Sequence, residues 1–333
     1  MTGQTKPSRS NKFSVALCTY NGAQFLPEQF SSYLSQKRQP DEIVICDDGS
    51  TDETLNLSRA FAERAPFLVR VEVNISNRGV TNNFEKAISL CNGDLIALSD
   101  QDDIWQPEKL QVLEEVFLNK PGVGAVFTDG DVIDELSRPL GYRLWQGFDF
   151  GKKAQERVLQ GRAFEVLLHS NVVTGATLAF RSIFKPLLLP IPSPWIHDGW
   201  IALMISARAD LTLVPRPLIQ YRRHLNQRVG ISNDNLLRQI RNTYNSGCSR
   251  YAMELCKYEF AWKHLNGIEL SHISATDMAL LEAKIAHLKV RANLPEKRLD
   301  RLGTIVKELI SSRYHKYSEG FLSAARDIVL SHP

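Results

Sequence analysis

The chain has little of what marks several protein classes. Its five cysteines (Cys18, Cys46, Cys91, Cys248 and Cys256) include no CxxC pair and leave one over, so buried free thiols in a reducing compartment are expected. No stretch approaches the roughly 20 apolar residues that span a bilayer. The opening MTGQTKPSRSNK lacks the apolar core of a signal peptide. A cytoplasmic protein is expected, with peripheral contact at the inner face of the cell membrane left open. The net charge of +3 is too small to indicate nucleic acid, and no dense Lys/Arg run interrupts the N-terminal half. No GxGxxG follows the first strand-like run, which counts against a dehydrogenase. No Ser/His/Asp or Cys/His constellation for nucleophilic catalysis stands out either.

What is present is ordinary in bulk and informative in order. With 333 residues, 43% of them hydrophobic and 23% charged, the chain can bury a sizeable core. Charge is uneven: from residue 235 onward there are 15 Lys+Arg against 10 Asp+Glu, whereas the rest holds 25 against 27. Short apolar runs at 13–18, 42–46, 67–73, 94–98 and 123–127 alternate with segments whose apolar residues recur at helical spacing, such as Phe25, Leu26, Phe30 and Leu34. That alternation predicts βαβ units and a mainly parallel, Rossmann-like sheet flanked by helices. Residues 129–160 read as irregular, 176–180 and 211–221 as strands, and about 199–209 as a helix between them. From about 234 the pattern is helical. The expected organisation is a tail at 1–11, an α/β domain at 12–233 and a helical region at 234–333.

In such a sheet ligands bind at the carboxyl ends of the strands, and three polar clusters fall there. Thr19-Tyr20-Asn21-Gly22 follows the first strand, Asp47-Asp48-Gly49-Ser50 the second, and Ser99-Asp100-Gln101-Asp102-Asp103 the fourth. Three carboxylates within four residues repel one another unless a cation or solvent compensates. A hard divalent ion, Mg²⁺ or Mn²⁺, suits one or two carboxylates plus phosphate oxygens. An acidic helix N-terminus ahead of Pro107 is the plainer alternative. Asp47 and Asp48 could belong to a cap for the helix near Thr51, although capping needs only Ser50 or Thr51. Asp198 in Trp195-Ile196-His197-Asp198-Gly199-Trp200 reads as either a helix cap or a general base, with the tryptophans offering faces on which a ligand could stack. Gly175 could admit close approach of the backbone to a ligand. Arg222 and Arg223 are either surface charges or phosphate clamps.

Together these segments resemble the family 2 glycosyltransferases of the GT-A fold. The resemblance is carried by FSVALCTYNGAQFLPEQFSSYLSQ, EIVICDDGSTDET, NRGVTNNFEKAISLCNGDLIALSDQDDIW, and the pair HDGW and YRRHLNQRVG. It implies that Thr19, Tyr20 and Asn21 line a base and ribose pocket, and that Asp48 accepts from the base N3–H with Asp47 supporting it. It further implies that Asp100 and Asp102 form the family's DxD pair, with Asp102 on the metal and Asp100 shared between metal and nucleotide. Asp198 matches the position of the base, and His224 and Asn226 the position where some members contact metal or diphosphate. The chemistry implied is inverting transfer of one sugar, or a few, because the QxxRW motif of processive synthases is missing. The donor expected is a dTDP- or UDP-sugar, with dTDP-L-rhamnose first among them by likeness to bacterial rhamnosyltransferases of cell-surface polysaccharides. The acceptor expected is a saccharide or lipid-linked hydroxyl. A nucleotide-sugar-forming nucleotidyltransferase is the weaker alternative, since TYNGAQ lacks a Gly-rich phosphate loop; a non-catalytic nucleotide-sugar-binding module is the other. Residues 276–291, with Met278, Leu281, Ile285 and Leu288 at helical spacing and Lys284, Lys289 and Arg291 nearby, suggest packing on the catalytic domain, a homodimer contact or docking on an anionic membrane.

Overall fold

A computed structural model describes residues 11–224, 249–267 and 273–329. The expected tail at 1–11 therefore lies almost wholly outside the described residues, as do the 233/234 boundary, Asn226 and Cys248. The chain divides into two compact units that interleave in sequence. The first comprises 1–144, 174–190 and 214–224, and the second 145–173, 191–213 and 225–333.

The first unit is built on a sheet that begins as expected. Strands β1 (Phe13–Thr19), β2 (Glu42–Asp47), β3 (Leu68–Val73) and β4 (Leu95–Asp100) pair in parallel in the order β3-β2-β1-β4. Every residue of β1 and β2 is buried, as central parallel strands covered on both faces require. At the edge, β3 is half-exposed and charged through Arg70 and Glu72, a composition that discourages pairing with another chain. Between the strands run α1 (Leu26–Leu34), α2 (Thr54–Arg64) and α3 (Val80–Leu90). Phe30 stacks on Phe61 at 4.1 Å between ring centroids, which joins α1 to α2.

Beyond β4 the sheet turns antiparallel. The two-residue strand β5 (Ile104–Trp105) and helix α4 (Lys109–Asn119) lead into β6 (Val123–Ile133) and β7 (Pro139–Arg143), which form a hairpin. The sheet is completed by β8 (Leu178–Arg181) and β9 (Asp210–Arg222), of which 214–222 belongs to this unit. The full order is β3-β2-β1-β4-β8-β6-β9-β5. The stretch 129–160, expected to be irregular, is instead strand over 129–133 and 139–143 and helix over 144–147 and 152–159. In β6 the polar Thr128 and Asp129 are buried, so a strand interior carries side chains that read as loop.

Register places the ligand edge. Thr19 pairs with Asp47, and Cys18 with Asp100, so the three polar turns leave the sheet at one level. Cys18, Cys46 and Cys91 are buried and free, and burial pushes the thiols of Cys46 and Cys91 up to about 12.

In the second unit α5 (Leu144–Gly147), α6 (Lys152–Leu159), α7 (Ala163–His169) and α9 (His197–Ser206) join a C-terminal set; α8 (Lys185–Leu188) belongs to the first unit. That set is α10 (Ser249–Asn266), α11 (Ala275–Ala292), α12 (Arg298–Ile310), α13 (Arg313–Tyr317) and α14 (Phe321–Val329). No described helix is long and apolar enough to cross a membrane. Of the basic residues noted along α11, Lys284 and Arg291 are buried beside Leu281 and Leu288. Arg291 pairs with Asp327 at 2.7 Å, and Tyr251 and Tyr314 both donate to the same carboxylate. His287 meets Glu308 at 2.7 Å.

Burial pulls the His287 pKa down to about 4 in spite of Glu308. The native imidazole is then neutral where the unfolded one, near 6.5, takes a proton. Stability should be complete above pH 6.5 and fall as the pH drops from 6.5 towards 4. Urea midpoints measured at pH 7 and pH 5 should show this loss, and His287→Gln should flatten it.

Candidate functional site

The site in the first unit starts from two turns that hold each other. Asn21 adopts φ +48°, in the left-handed region where Asn is tolerated. Its backbone N–H donates to Ser50 Oγ at 2.9 Å, and its side-chain oxygen accepts from Thr51 N–H at 2.8 Å. Gly22 N–H donates to Thr54 Oγ1 and Ala23 N–H to Asp52. The third turn joins through Gln101, which accepts from Tyr20 N–H at 2.8 Å and donates to the Tyr20 carbonyl at 3.1 Å. A Cβ on Gly22 would lie 2.1 Å from Gln101 Oε1, so a larger residue here would push the Gln101 side chain off its bonds to Tyr20.

The two adjacent acids of the second turn are used differently. Asp47, buried, accepts from the N–H groups of Gly49 and Ser50 through Oδ1, and from the Thr19 and Ser50 hydroxyls through Oδ2. Four bonds fill a carboxylate. Asp48, also buried, accepts from Asn74 Nδ2 and Arg78 N–H through Oδ1 and from Gly79 N–H through Oδ2. It keeps one acceptor position. Tyr20 is exposed and Thr19 buried.

The acidic turn is set by partners from α1 and from the end of β9. Asp100 closes β4, and its carbonyl accepts from Gln29 Nε2, which also binds Ser99 Oγ at 2.6 Å. Asp102 Oδ2 lies 2.7 Å from His224 Nε2, across 122 residues of sequence. The His224 ring rests against Phe25, 4.9 Å between centroids. Asp103 is buried with Oδ2 lacking a hydrogen-bond partner among the described residues. Burial, reinforced by the Asp102 and Asp100 charges, raises its carboxyl well above the usual range. The repulsion among three neighbouring carboxylates thus favours the neutral form of Asp103. Beside the turn Lys109 sits 3.7 Å over the Trp105 ring and donates to the Ala176 carbonyl at 2.6 Å; burial draws its pKa down to about 7. That bond ties α4 to the 3₁₀ turn Gly175–Thr177, in which Gly175 is buried.

Arg222 corrects an expectation. It is fully buried, and its guanidinium faces the protein instead of a ligand. Its backbone N–H donates to Asp103 Oδ1, and Nε donates to the Asp102 carbonyl at 2.8 Å. Nη2 meets Glu28 at 2.5 Å, and Nη1 donates to Ser137 Oγ and the carbonyls of Asp134 and Glu135. A side chain committed in this way cannot clamp phosphate; it braces the acidic turn. Arg223, half-buried, donates to Tyr142 Oη at 2.7 Å. Glu28, Gln29 and Gln101 went unrecognised in the sequence. Gln101 sits within the acidic motif and was open to notice, whereas nothing in sequence ties Glu28 to Arg222.

The second unit carries Asp198 at the second position of α9. The cap residue is Ile196, and no side-chain cap bond forms. Asp198 Oδ1 accepts from Gly199 N–H at 2.5 Å and from Asn171 Nδ2 at 3.2 Å. Trp195 and Trp200, expected to offer sugar-stacking faces, are instead buried against each other with centroids 5.8 Å apart, and Trp195 packs edge-on to Tyr258. They form aromatic core.

Residues 14–171 match the family model described as Glycosyl transferase family 2. The match covers just under half of the chain and makes this segment similar to that family. An uncharacterized glycosyltransferase of Nostoc sp. is 33% identical over 217 residues, covering 64% of this chain and 65% of that protein. The chain thus spans under two thirds of that relative's length. A dTDP-rhamnosyl transferase of Shigella flexneri is 37% identical over 99 residues, 28% of this chain and 34% of that one. Among solved structures, the mannosyltransferase PcManGT from Pyrobaculum calidifontis in complex with GDP-Man and Mn²⁺ superposes with a TM-score of 0.53 at 18% identity, covering 96% of this chain and 79% of that one. At that identity the likeness is one of fold.

Asp102 Oδ2 and His224 Nε2, 2.7 Å apart and hydrogen-bonded to each other, could give two ligands to an ion of the Mg²⁺ or Mn²⁺ kind, whose remaining ligands would then be substrate phosphate oxygens and water. Among the described residues no group of three or more His, Cys, Asp or Glu side chains could hold a metal ion. Because the Asp102 turn is braced by the Arg222 guanidinium, Arg222→Met should leave that turn unbraced while keeping the backbone N–H that meets Asp103. We expect a loss of about 1–3 kcal/mol in urea unfolding, the scale for leaving buried acceptors such as the Asp102 carbonyl without a donor. Arg223→Met, at the next position, should cost well under half of that.

Proposed function

We propose that the chain is an inverting, metal-dependent glycosyltransferase that moves a sugar from a nucleotide diphosphate donor to a hydroxyl of a saccharide or lipid-linked acceptor. The observation that carries this reading is the Asp102–His224 pair, held at the strand ends beside the Tyr20-Asn21 and Asp47-Asp48 turns. In this reading Tyr20 and Asn21, with Thr19 behind them, line the base and ribose pocket. Asp48 offers its one remaining acceptor position to the base N3–H, while Asp47 has the purely supporting task of shaping the turn. Gly175 stands near the donor sugar, and Arg223, not Arg222, is the arginine left for phosphate. Asp102 and His224, with Asp100 from the same turn, would hold a divalent cation, which would supply Lewis-acid neutralisation of charge on the departing diphosphate. The dTDP-rhamnosyl transferase relative supports a dTDP-sugar, dTDP-L-rhamnose first, as donor, with cell-surface polysaccharide synthesis on the cytoplasmic side as the setting.

Asp198 is the proposed general base. Its carboxylate takes the acceptor's proton as the hydroxyl attacks the anomeric carbon from the side opposite the diphosphate, and attack from that side inverts the configuration.

Two measurements test the assignments. Asp102→Ala should abolish Mn²⁺-dependent donor binding in calorimetry, and wild-type protein stripped with a chelator should lose transfer. Full transfer after stripping rejects the metal role. Asp198→Asn keeps size and most hydrogen bonding, so donor affinity and melting temperature should hold while transfer falls by about 10²–10⁴-fold, the scale of losing general-base catalysis. Near wild-type transfer by that variant would instead fit a residue that only serves the helix N-terminus.

A further inference from the structure

Helices α12 and α14 carry their polarity reversed. On α12 the inward residues are Arg301, Ile305 and Glu308. Left outside are Leu299 (80% exposed), Leu302, Val306 and Ile310 (79%), which recur every three or four residues and so form one stripe. On α14 Ser323, Ala324 and Asp327 are buried, while Phe321 (70% exposed), Leu322 and Val329 are outside. Each stripe borders the residues through which these helices join one small core, Ile305 and Leu309 on α12, Ala324 and Ile328 on α14. A surface helix ordinarily shows its polar face to water. Apolar side chains this exposed and this regularly spaced call for a cover.

Charge identifies the cover. From Lys297, at the start of α12, to Val329 the chain has seven Lys and Arg and four Asp and Glu. Glu308 and Asp327 are buried in ion pairs with His287, Arg313 and Arg291. Facing solvent are Asp300 and Glu319 against Lys297, Arg298, Lys307 and Lys316. We propose that this face docks on an anionic membrane surface. The stripes enter the boundary between headgroups and acyl chains, and the lysines and Arg298 meet lipid phosphates. A second copy of the chain would cover the stripes equally well, but a twofold contact sets a patch against itself and would press those cations together.

The test uses the full chain with vesicles of phosphatidylcholine alone and of phosphatidylcholine containing phosphatidylglycerol, read by co-sedimentation at low and high salt. Binding should favour the anionic vesicles by roughly tenfold or more and weaken as salt rises. Ile310→Ser combined with Phe321→Ser should lower binding by about tenfold or more, with an unchanged melting temperature because both side chains are exposed. Lys307→Glu combined with Lys316→Glu should lower it by a similar factor, and decides alone if the serine variant unfolds. Failure to bind anionic vesicles overturns the proposal, as does binding that neither pair of substitutions alters. A dimer in sedimentation equilibrium that the serine variant dissociates, without vesicle binding, assigns the face to a second copy.

Discussion

The first unit depends on one buried guanidinium. Removing a charged group from water is expensive and is offset only when its donors are met with good geometry. Arg222 meets that condition with a carboxylate, a hydroxyl and several carbonyls drawn from α1, the acidic turn and the β6–β7 hairpin. The same residue ends β9, so the strand is anchored where the chain passes on to His224. Asp102 is consequently gripped twice, through its carbonyl by Arg222 and through its carboxylate by His224. Neither contact could form without the antiparallel pairing of β5 with β9.

The C-terminal helices solve a different problem with similar chemistry. Their interior is organised by Asp327, which receives Arg291, Tyr251 and Tyr314 at once. Such a network specifies one helix arrangement more strictly than interchangeable aliphatic contacts do. It also leaves fewer apolar residues needed inside, which is how Leu299, Ile310 and Phe321 come to be outside.

The parallel half of the fold was legible because buried central strands are almost purely apolar and the helices between them keep helical spacing, as in FSVALC and EIVIC. The three polar turns were legible for the same reason: each interrupts a run that is otherwise unambiguous. The antiparallel half was less so, since buried Thr128 and Asp129 carry no outward sign of strand. Arg222 was misread because an arginine next to another arginine and a histidine looks the same in sequence whether it faces a ligand or the interior. Trp195 and Trp200 were misread likewise: an aromatic beside a carboxylate suits a sugar face and an aromatic core equally, and only packing separates the two. The reversed polarity of α12 was invisible, because spacing reveals that a helix has two faces and not which one is buried.

The interlocked turns bear on how this part of the molecule can change over time. Asn21 is held by Ser50 and Thr51, Gly22 by Thr54, Ala23 by Asp52, and Tyr20 by Gln101. An insertion in either of the first two loops would break bonds in both. New specificity is therefore more easily drawn from segments outside this lattice, and the turns should drift, when they drift at all, as a single heritable block.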